Sequence, residues 1–375
     1  MIKNSLHPEK RLLTSILVDV LVFAVFLLTF AYFHHVRVKP TAAFAIPAGE
    51  ESAAPAATFA FPADTPAPET TPEATEVPEE SEADSPFAAG DGVSYENTYQ
   101  SENVSVKVIK KTVGESVCFI TDIYVRDITS LKTAVALDYE EFNEGARKNV
   151  MQTTELAGHA GAIVALSGDN YVFRQAGRLV IRNGEGLDVQ FPIEDDICVL
   201  YQDGTMETYG KWSINRETIQ TVYDRKPYQA WSFGPMLLDE EGQPKTSFNS
   251  SVSKVNPRSA IGYYEPGHYC FVLVDGRQAG YSTGMTLTEL SQLFYDLGCK
   301  VAYNLDGGDT VALAFGTDLI NHPENAVPRS VSDIVYICEP DVSAAAADGL
   351  SGEQEPAPAD EAAEETPEPA VEGEE

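Results

Sequence analysis

Residues 269–310 read YCFVLVDGRQAGYSTGMTLTELSQLFYDLGCKVAYNLDGGDT, and this stretch decides the fold. The unbroken apolar run at 269–274 has the composition of a buried strand, and it ends in the turn Asp275-Gly276-Arg277. Thr286-Leu-Thr-Glu289 is a capping box, in which the Thr hydroxyl and the Glu carboxylate satisfy the first free N–H groups of a helix. Leu287, Leu290, Leu293, Phe294 and Leu297 then recur at helical spacing on one face, and Gly298 supplies the stop. The chain re-enters a strand at CKVAYNL (299–305) and breaks at Asp306-Gly307-Gly308-Asp309. Strand, helix and strand in this order predict a crossover between parallel strands.

Working outward, β-rich runs occupy VSVKVI (104–109), VCFITDIYV (117–125), KTAVAL (132–137), GAIVAL (161–166), NYVFR (170–174) and RLVIRNG (178–184). ICVLYQDGTMETY (197–209) predicts a hairpin around Asp203-Gly204. VALAFG (311–316) and SDIVYICE (332–339) close the series, and a helix is expected over Thr153–Ala160. Many strands and few helices define an α+β class, a single domain over 94–338 with a mixed, largely antiparallel sheet.

The net charge of −33 is unevenly placed. Residues 40–93 hold 11 acidic side chains and residues 339–375 hold 13, with no Lys or Arg in either segment. Both are rich in Pro, Ala and Glu, too polar to bury a core, and are expected to be a disordered linker and a disordered tail. Residues 94–338 carry 32 acids against 20 bases. An acidic balance with no basic stripe argues against a nucleic-acid binder, whose affinity rests on neutralising phosphates. Residues 12–33, LLTSILVDVLVFAVFLLTFAYF, are long enough to span a bilayer. Residues 1–39 are therefore expected to form a cytoplasmic tip and a single-pass transmembrane helix, with the folded domain outside the cytoplasm. A cleaved signal peptide ending near Ala43-Phe44-Ala45 is the alternative, disfavoured because a signal's apolar core is usually shorter.

The five cysteines, Cys118, Cys198, Cys270, Cys299 and Cys338, form no C-x-x-C pair and no zinc spacing. His159, His268 and His322 are the histidines of the domain, too few for a mechanism built on several. P-loop and dinucleotide fingerprints are absent.

The chemistry-bearing residues gather in Gly/Asp/Arg turns at strand ends, where sheets present ligand-binding groups. Asp306, Asp169 and Asp275 are the candidate catalytic carboxylates. Asp306 and Asp309 are also a candidate pair for a hard divalent cation such as Ca2+, although the sequence requires no cofactor. Five segments occur in order: Ser167-Gly168-Asp169, Phe233-Gly234-Pro235-Met236-Leu237, Pro257-Arg258-Ser259-Ala260-Ile261-Gly262, Val274-Asp275-Gly276-Arg277 and Asn304-Leu305-Asp306-Gly307-Gly308. With Arg329 in VPRSVSD, they resemble the phosphodiester glycosidase family, which includes bacterial proteins associated with exopolysaccharide metabolism.

The resemblance implies hydrolysis of a sugar-1-phosphodiester, such as N-acetylglucosamine phosphate, in an envelope polymer or glycan. Such a reaction needs cations to hold the leaving phosphate, for which Arg258, Arg277, Arg174 and Arg329 are candidates. Ser167, Asn304, Gly307, Gly308 and Thr310 complete the candidate binding set, with backbone N–H groups of the glycine turn cradling phosphate oxygens. A carboxylate must stabilise an oxocarbenium-like centre or activate water. Two departures stand out: Ser167-Gly168 where the family usually has Asn-Gly, and Gly307-Gly308-Asp309-Thr310 where it usually has Gly-Gly-Gly-Ser. Asp309 adds a negative charge where a phosphate would approach, so it needs a compensating cation. The competing readings are a catalytically inactive carbohydrate- or phosphopolymer-binding module and a tethered envelope scaffold.

Overall fold

The computed structural model describes residues 93–136, 150–171 and 177–340, together with Phe59 and Phe87. Its strands are β1 (Val93–Gln100), β2 (Val104–Val113), β3 (Ser116–Val125), β4 (Leu131–Val135), β5 (Val164–Ser167), β6 (Arg178–Arg182), β7 (Glu185–Gln190) and β8 (Ile197–Tyr201). They continue as β9 (Met206–Tyr209), β10 (Pro227–Trp231), β11 (Arg258–Glu265), β12 (His268–Val274), β13 (Val301–Asn304), β14 (Leu313–Phe315), β15 (Asp318–Leu319) and β16 (Asp333–Ile337). The helices are α1 (Thr153–Ala160), α2 (Ile219–Asp224) and α3 (Leu287–Asp296).

Three sheets form, in the orders β1-β2-β3-β12-β11-β13, β7-β6-β10-β8-β9 and β15-β14-β5-β16-β4. The α+β reading holds as a mostly antiparallel fold with few helices. The crossover forms, with one strand interposed. β12 and β13 run in the same direction, but each pairs antiparallel with β11 between them, so α3 bridges next-but-one neighbours. The interposed strand cannot be read from residues 269–305, because nothing local announces β11.

β12 shows why its run is apolar throughout. Side chains alternate faces along a strand, and here both faces are covered. Tyr269, Phe271 and Leu273 join the core shared with the other two sheets, including Leu166, Leu200, Trp231 and Val335. Cys270, Val272 and Val274 face the other way, onto Leu287, Leu290, Leu293 and Phe294 of α3. The capping box is formed as expected: Thr286 Oγ1 accepts from the Glu289 N–H, and the Glu289 carboxylate accepts from the Thr286 N–H. A buried amphipathic face and a satisfied first turn together hold a ten-residue helix that would be marginal alone.

Two further expectations change. In NYVFR, Asn170 and Tyr171 are not strand, and Tyr171 is a buried ring; Val172 to Ala176 lie outside the described residues. The linker is not uniformly detached from the domain. Phe59 is buried over Gly204 and Gly267, and its N–H donates to the Arg126 carbonyl at 2.8 Å. Phe87 is buried against the α3-side core and meets Tyr264 edge-on. An aromatic ring in an otherwise polar segment finds more apolar area on the domain than in water, which offsets the local ordering. Residues 12–33 and 341–375 lie outside the described residues. Among those described, no helix is long and apolar enough to cross a membrane.

Candidate active site

The register of β12, β11 and β13 assembles the site. Arg258 lies opposite Val274, and Asn304 lies opposite Ala260. The end of β12, the start of β11 and the end of β13 therefore emerge at one edge. From there, Arg258 itself, the Asp275–Arg277 turn and the Asn304–Gly308 turn meet around a cleft of about 140 Å³. Its lining includes Phe233, Asn256, Pro257, Arg258, Arg277, Asn304, Asp306, Gly307 and Gly308. β5 closes the base: the Asp306 N–H donates to the Gly168 carbonyl at 2.9 Å, and Ser259 Oγ donates to the Ser167 carbonyl at 2.8 Å. A larger concavity of about 520 Å³ at Phe191, Pro192, Asn215, Arg216 and Glu217 shares no residue with this cleft.

Asp306 is the one acidic residue lining the cleft among the described residues. It is only 6% exposed, and Arg329 Nη2 stands 3.4 Å from its Oδ2. Arg258 is 2% exposed, and among the described residues no carboxylate forms an ion pair with it. Its Nε donates to the Met285 carbonyl at 2.8 Å, and its Nη2 donates to the Lys254 carbonyl. Burial, with Arg277 nearby, lowers its pKa to about 10, while Glu289 acts in the opposite sense. It stays protonated at neutral pH. A buried guanidinium whose partners among the described residues are carbonyls is under-compensated, and an anion entering the cleft would relieve that.

Arg277 takes a left-handed backbone (φ 59°), which turns its side chain back under the glycine turn. Its Nη1 binds Asp309 Oδ1 at 2.5 Å, and its Nη2 donates to Asn256 Oδ1 at 2.9 Å. The charge that Asp309 introduces is thus already met. The glycines are required by close approach: a Cβ on Gly307 would lie 2.6 Å from the Pro257 carbonyl oxygen, and Gly308 has φ 68°. One expectation falls here. The Gly308 N–H donates to the Pro257 carbonyl at 3.0 Å, so it is not free to cradle a phosphate. Thr310 also turns inward, donating from Oγ1 to the Gly307 carbonyl at 2.9 Å. Asn304 differs: its Nδ2 donates to the Gly234 carbonyl at 2.8 Å, while its buried Oδ1 has no partner among the described residues.

Asp169 and Asp275 are not brought to the cleft. Asp275 is fully buried and accepts from Tyr281 Oη (2.9 Å), Asn321 Nδ2 (2.8 Å) and the His322 N–H (2.9 Å). It organises the loops behind Arg277. Asp169 is fully buried too, and its Oδ2 accepts from the Ser232 N–H at 2.8 Å and from Arg182 Nη2 at 3.2 Å. Arg182 also donates to Asp333 Oδ2 from Nε (3.0 Å) and Nη2 (2.8 Å). Two buried carboxylates share one guanidinium, and the dominant effect of burial raises the Asp333 pKa above the ordinary carboxylate range. Ser167 is buried, with Oγ 3.4 Å from the Asp306 carbonyl, a positioning contact at best. Arg174 lies outside the described residues.

The Asp306–Asp309 cation pair is not assembled either, since each carboxylate faces an arginine. Among the described residues, no group of three or more His, Cys, Asp or Glu is placed to hold a metal. Arg182 and Asp333 were absent from the sequence candidates. Their signal was a charge embedded in the apolar strands RLVIR and SDIVYI, which demands a buried partner.

Residues 160–338 match the family model described as phosphodiester glycosidase. The chain is 31% identical over 149 residues to the SPbeta prophage-derived uncharacterized protein YomE of Bacillus subtilis, covering 39% of this chain and 22% of that protein. It is 30% identical over 108 residues to the N-acetylglucosamine-1-phosphodiester alpha-N-acetylglucosaminidase of Bos taurus, covering 27% of this chain and 20% of that protein. The chain thus spans about a fifth of the length of these curated relatives. Among solved structures, the zebrafish N-acetylglucosamine-1-phosphodiester alpha-N-acetylglucosaminidase catalytic domain, auto-inhibited by its pro-peptide, superposes with a TM-score of 0.50. That likeness is at 20% identity and covers 68% of this chain and 86% of the other.

Proposed function

We propose that the cleft hydrolyses a sugar-1-phosphodiester, from the premise that residues 160–338 match the family model described as phosphodiester glycosidase. The observation that carries this reading is one buried carboxylate, Asp306, sharing a small cleft with a buried guanidinium, Arg258, that has no carboxylate partner among the described residues. In the proposed reaction the anomeric C–O bond breaks, water adds to the sugar, and the phosphomonoester leaves carrying the bridging oxygen. Arg258 meets the charge that grows on the phosphate. Asp306 stands for the oxocarbenium-like centre or for the proton of the attacking water. The unpartnered Asn304 Oδ1 offers an acceptor to a sugar hydroxyl or amide N–H, which a substrate lacking that donor would leave unmet.

The substrate is proposed to belong to an envelope glycan, with residues 12–33 tethering the domain outside the cytoplasm. The support for that placement is the apolar length of the segment alone. The test is release of free sugar from synthetic N-acetylglucosamine-1-phosphodiesters by the full chain, with and without added divalent cation. Saturable binding without sugar release would favour the inactive binding module over the enzyme.

Asp309 has a specific role in this reading. It holds Arg277 through a pair that is 38% and 50% exposed, so an incoming phosphate must compete for that arginine. Exposed pairs of this kind contribute about 1 kcal/mol or less. Asp309→Asn is therefore expected to lower KM roughly two- to fivefold at little change in kcat, measured by initial rates. A KM that rises would show that Arg277 needs Asp309 to be oriented.

A further inference from the structure

Cys270 and Cys299 place their Sγ atoms 3.6 Å apart in the core between the first sheet and α3. The contact is unusual in its topology. Cys270 is on β12, Cys299 lies two residues before the start of β13, and β11 lies between those strands. The sulfurs meet because β11 presents Gly262 at that row, directly opposite Cys270 in register. A Cβ on Gly262 would stand 2.7 Å from Cys270 Sγ and 2.8 Å from Cys299 Sγ, so any side chain there would part them. A glycine inside a central strand costs backbone entropy and packing, and here its empty side-chain position is occupied by two thiols.

We propose that Cys270 and Cys299 are a redox pair that closes to a disulfide across Gly262 when the folding chain meets a disulfide oxidant. Closure moves the sulfurs from 3.6 Å to about 2.05 Å. The chemistry is exchange: one cysteine thiolate attacks a sulfur of the oxidant, such as oxidised glutathione, and expels one reduced thiol. The second cysteine attacks the mixed disulfide and expels the other. Two protons and two electrons pass from the pair to the oxidant. Burial pushes the Cys270 thiol well above its usual pKa, which makes the finished core a poor place for thiolate attack. Closure therefore belongs to folding, and the completed bond is shielded from reduction.

The bond would tie β12 to β13 around the loop that carries α3 and Arg277. It would pin the ends of these strands remote from the cleft, where Arg258, Arg277 and Asp306 emerge. The inference is independent of the proposed hydrolysis, because it concerns the covalent state of the core.

The test refolds the reduced, denatured full chain in a glutathione redox buffer, then counts thiols after denaturation. Five thiols are present in the reduced chain, and three are expected after oxidative refolding. Peptide mapping should recover residues 270 and 299 in one linked species, about 2 Da lighter than the two reduced peptides. The oxidised chain should melt roughly 5–10 °C above the reduced one. Cys299→Ser should show four thiols in either buffer and no such difference. Five thiols after oxidative refolding, or a link joining other cysteines, overturns the proposal; the wild-type count and map decide it even if the variant folds poorly.

Discussion

Asp306→Ala in the full chain is expected to reduce sugar release from a nitrophenyl-phosphodiester sugar by roughly a thousandfold or more. The argument is positional. Among the described residues Asp306 is the one acid lining the cleft, and Asp169 and Asp275 are fixed in other networks, so no described carboxylate stands ready to replace it. Phosphate leaves readily, so the demand falls on stabilising the anomeric centre, which is what a facing carboxylate does. The fold should survive. The side chain meets the half-exposed Arg329 at 3.4 Å, and the anchoring bond to Gly168 comes from the Asp306 backbone, which alanine keeps. The measurement pairs kcat with a thermal melt. A melting point within a few degrees of wild type, with kcat reduced, is the expected outcome; undiminished kcat would remove Asp306 from the chemistry.

The second large effect is on stability. Arg182→Met is expected to destabilise the chain by about 3–5 kcal/mol, because it strands two buried carboxylates without their cation. Arg182 is 1% exposed, lies 5.4 Å from the Tyr171 ring, and binds both Asp169 and Asp333. Charge and packing are separated by a triple variant. Replacing Asp169 and Asp333 by Asn in the Arg182→Met background removes both stranded charges and retains side-chain acceptors for the Ser232 and Asp169 N–H groups. That triple variant should regain more than half of the loss in chemical denaturation. If it regains nothing, the guanidinium matters through its shape and its carbonyl contacts.

The two effects divide the candidate carboxylates by burial and partners. In sequence, Asp169, Asp275 and Asp306 look alike: each follows an apolar strand and abuts glycine. What distinguishes them is which direction the turn takes and which donors arrive from distant segments. Asp169 is met by Arg182 and Ser232, Asp275 by Tyr281, Asn321 and His322. These partners lie up to 63 residues away in the chain. No spacing rule reaches that far.

Other features were legible because their causes are local. The helix over 153–160 and the capping box at Thr286 depend on residues within a turn of each other. The hairpin at 197–209 follows from two β-rich runs around Asp203-Gly204. Strands β10 and β11 were not recognised, since PYQAW and RSAIGYYE lack clean alternation. Their side chains are buried on both faces by segments that only the fold brings together.

The uneven charge, the strand–helix–strand at 269–305 and the order of the Gly/Asp/Arg turns are therefore properties of the sequence itself. Periodicity, capping and composition act over a few residues, and they determined an α+β domain with its candidate site residues at strand ends. The tertiary structure decided the rest: that β11 separates β12 from β13, that Arg258 is buried against backbone carbonyls, and that Arg277 meets Asp309. Those outcomes depend on register between strands distant in sequence and on which charges lose their water together.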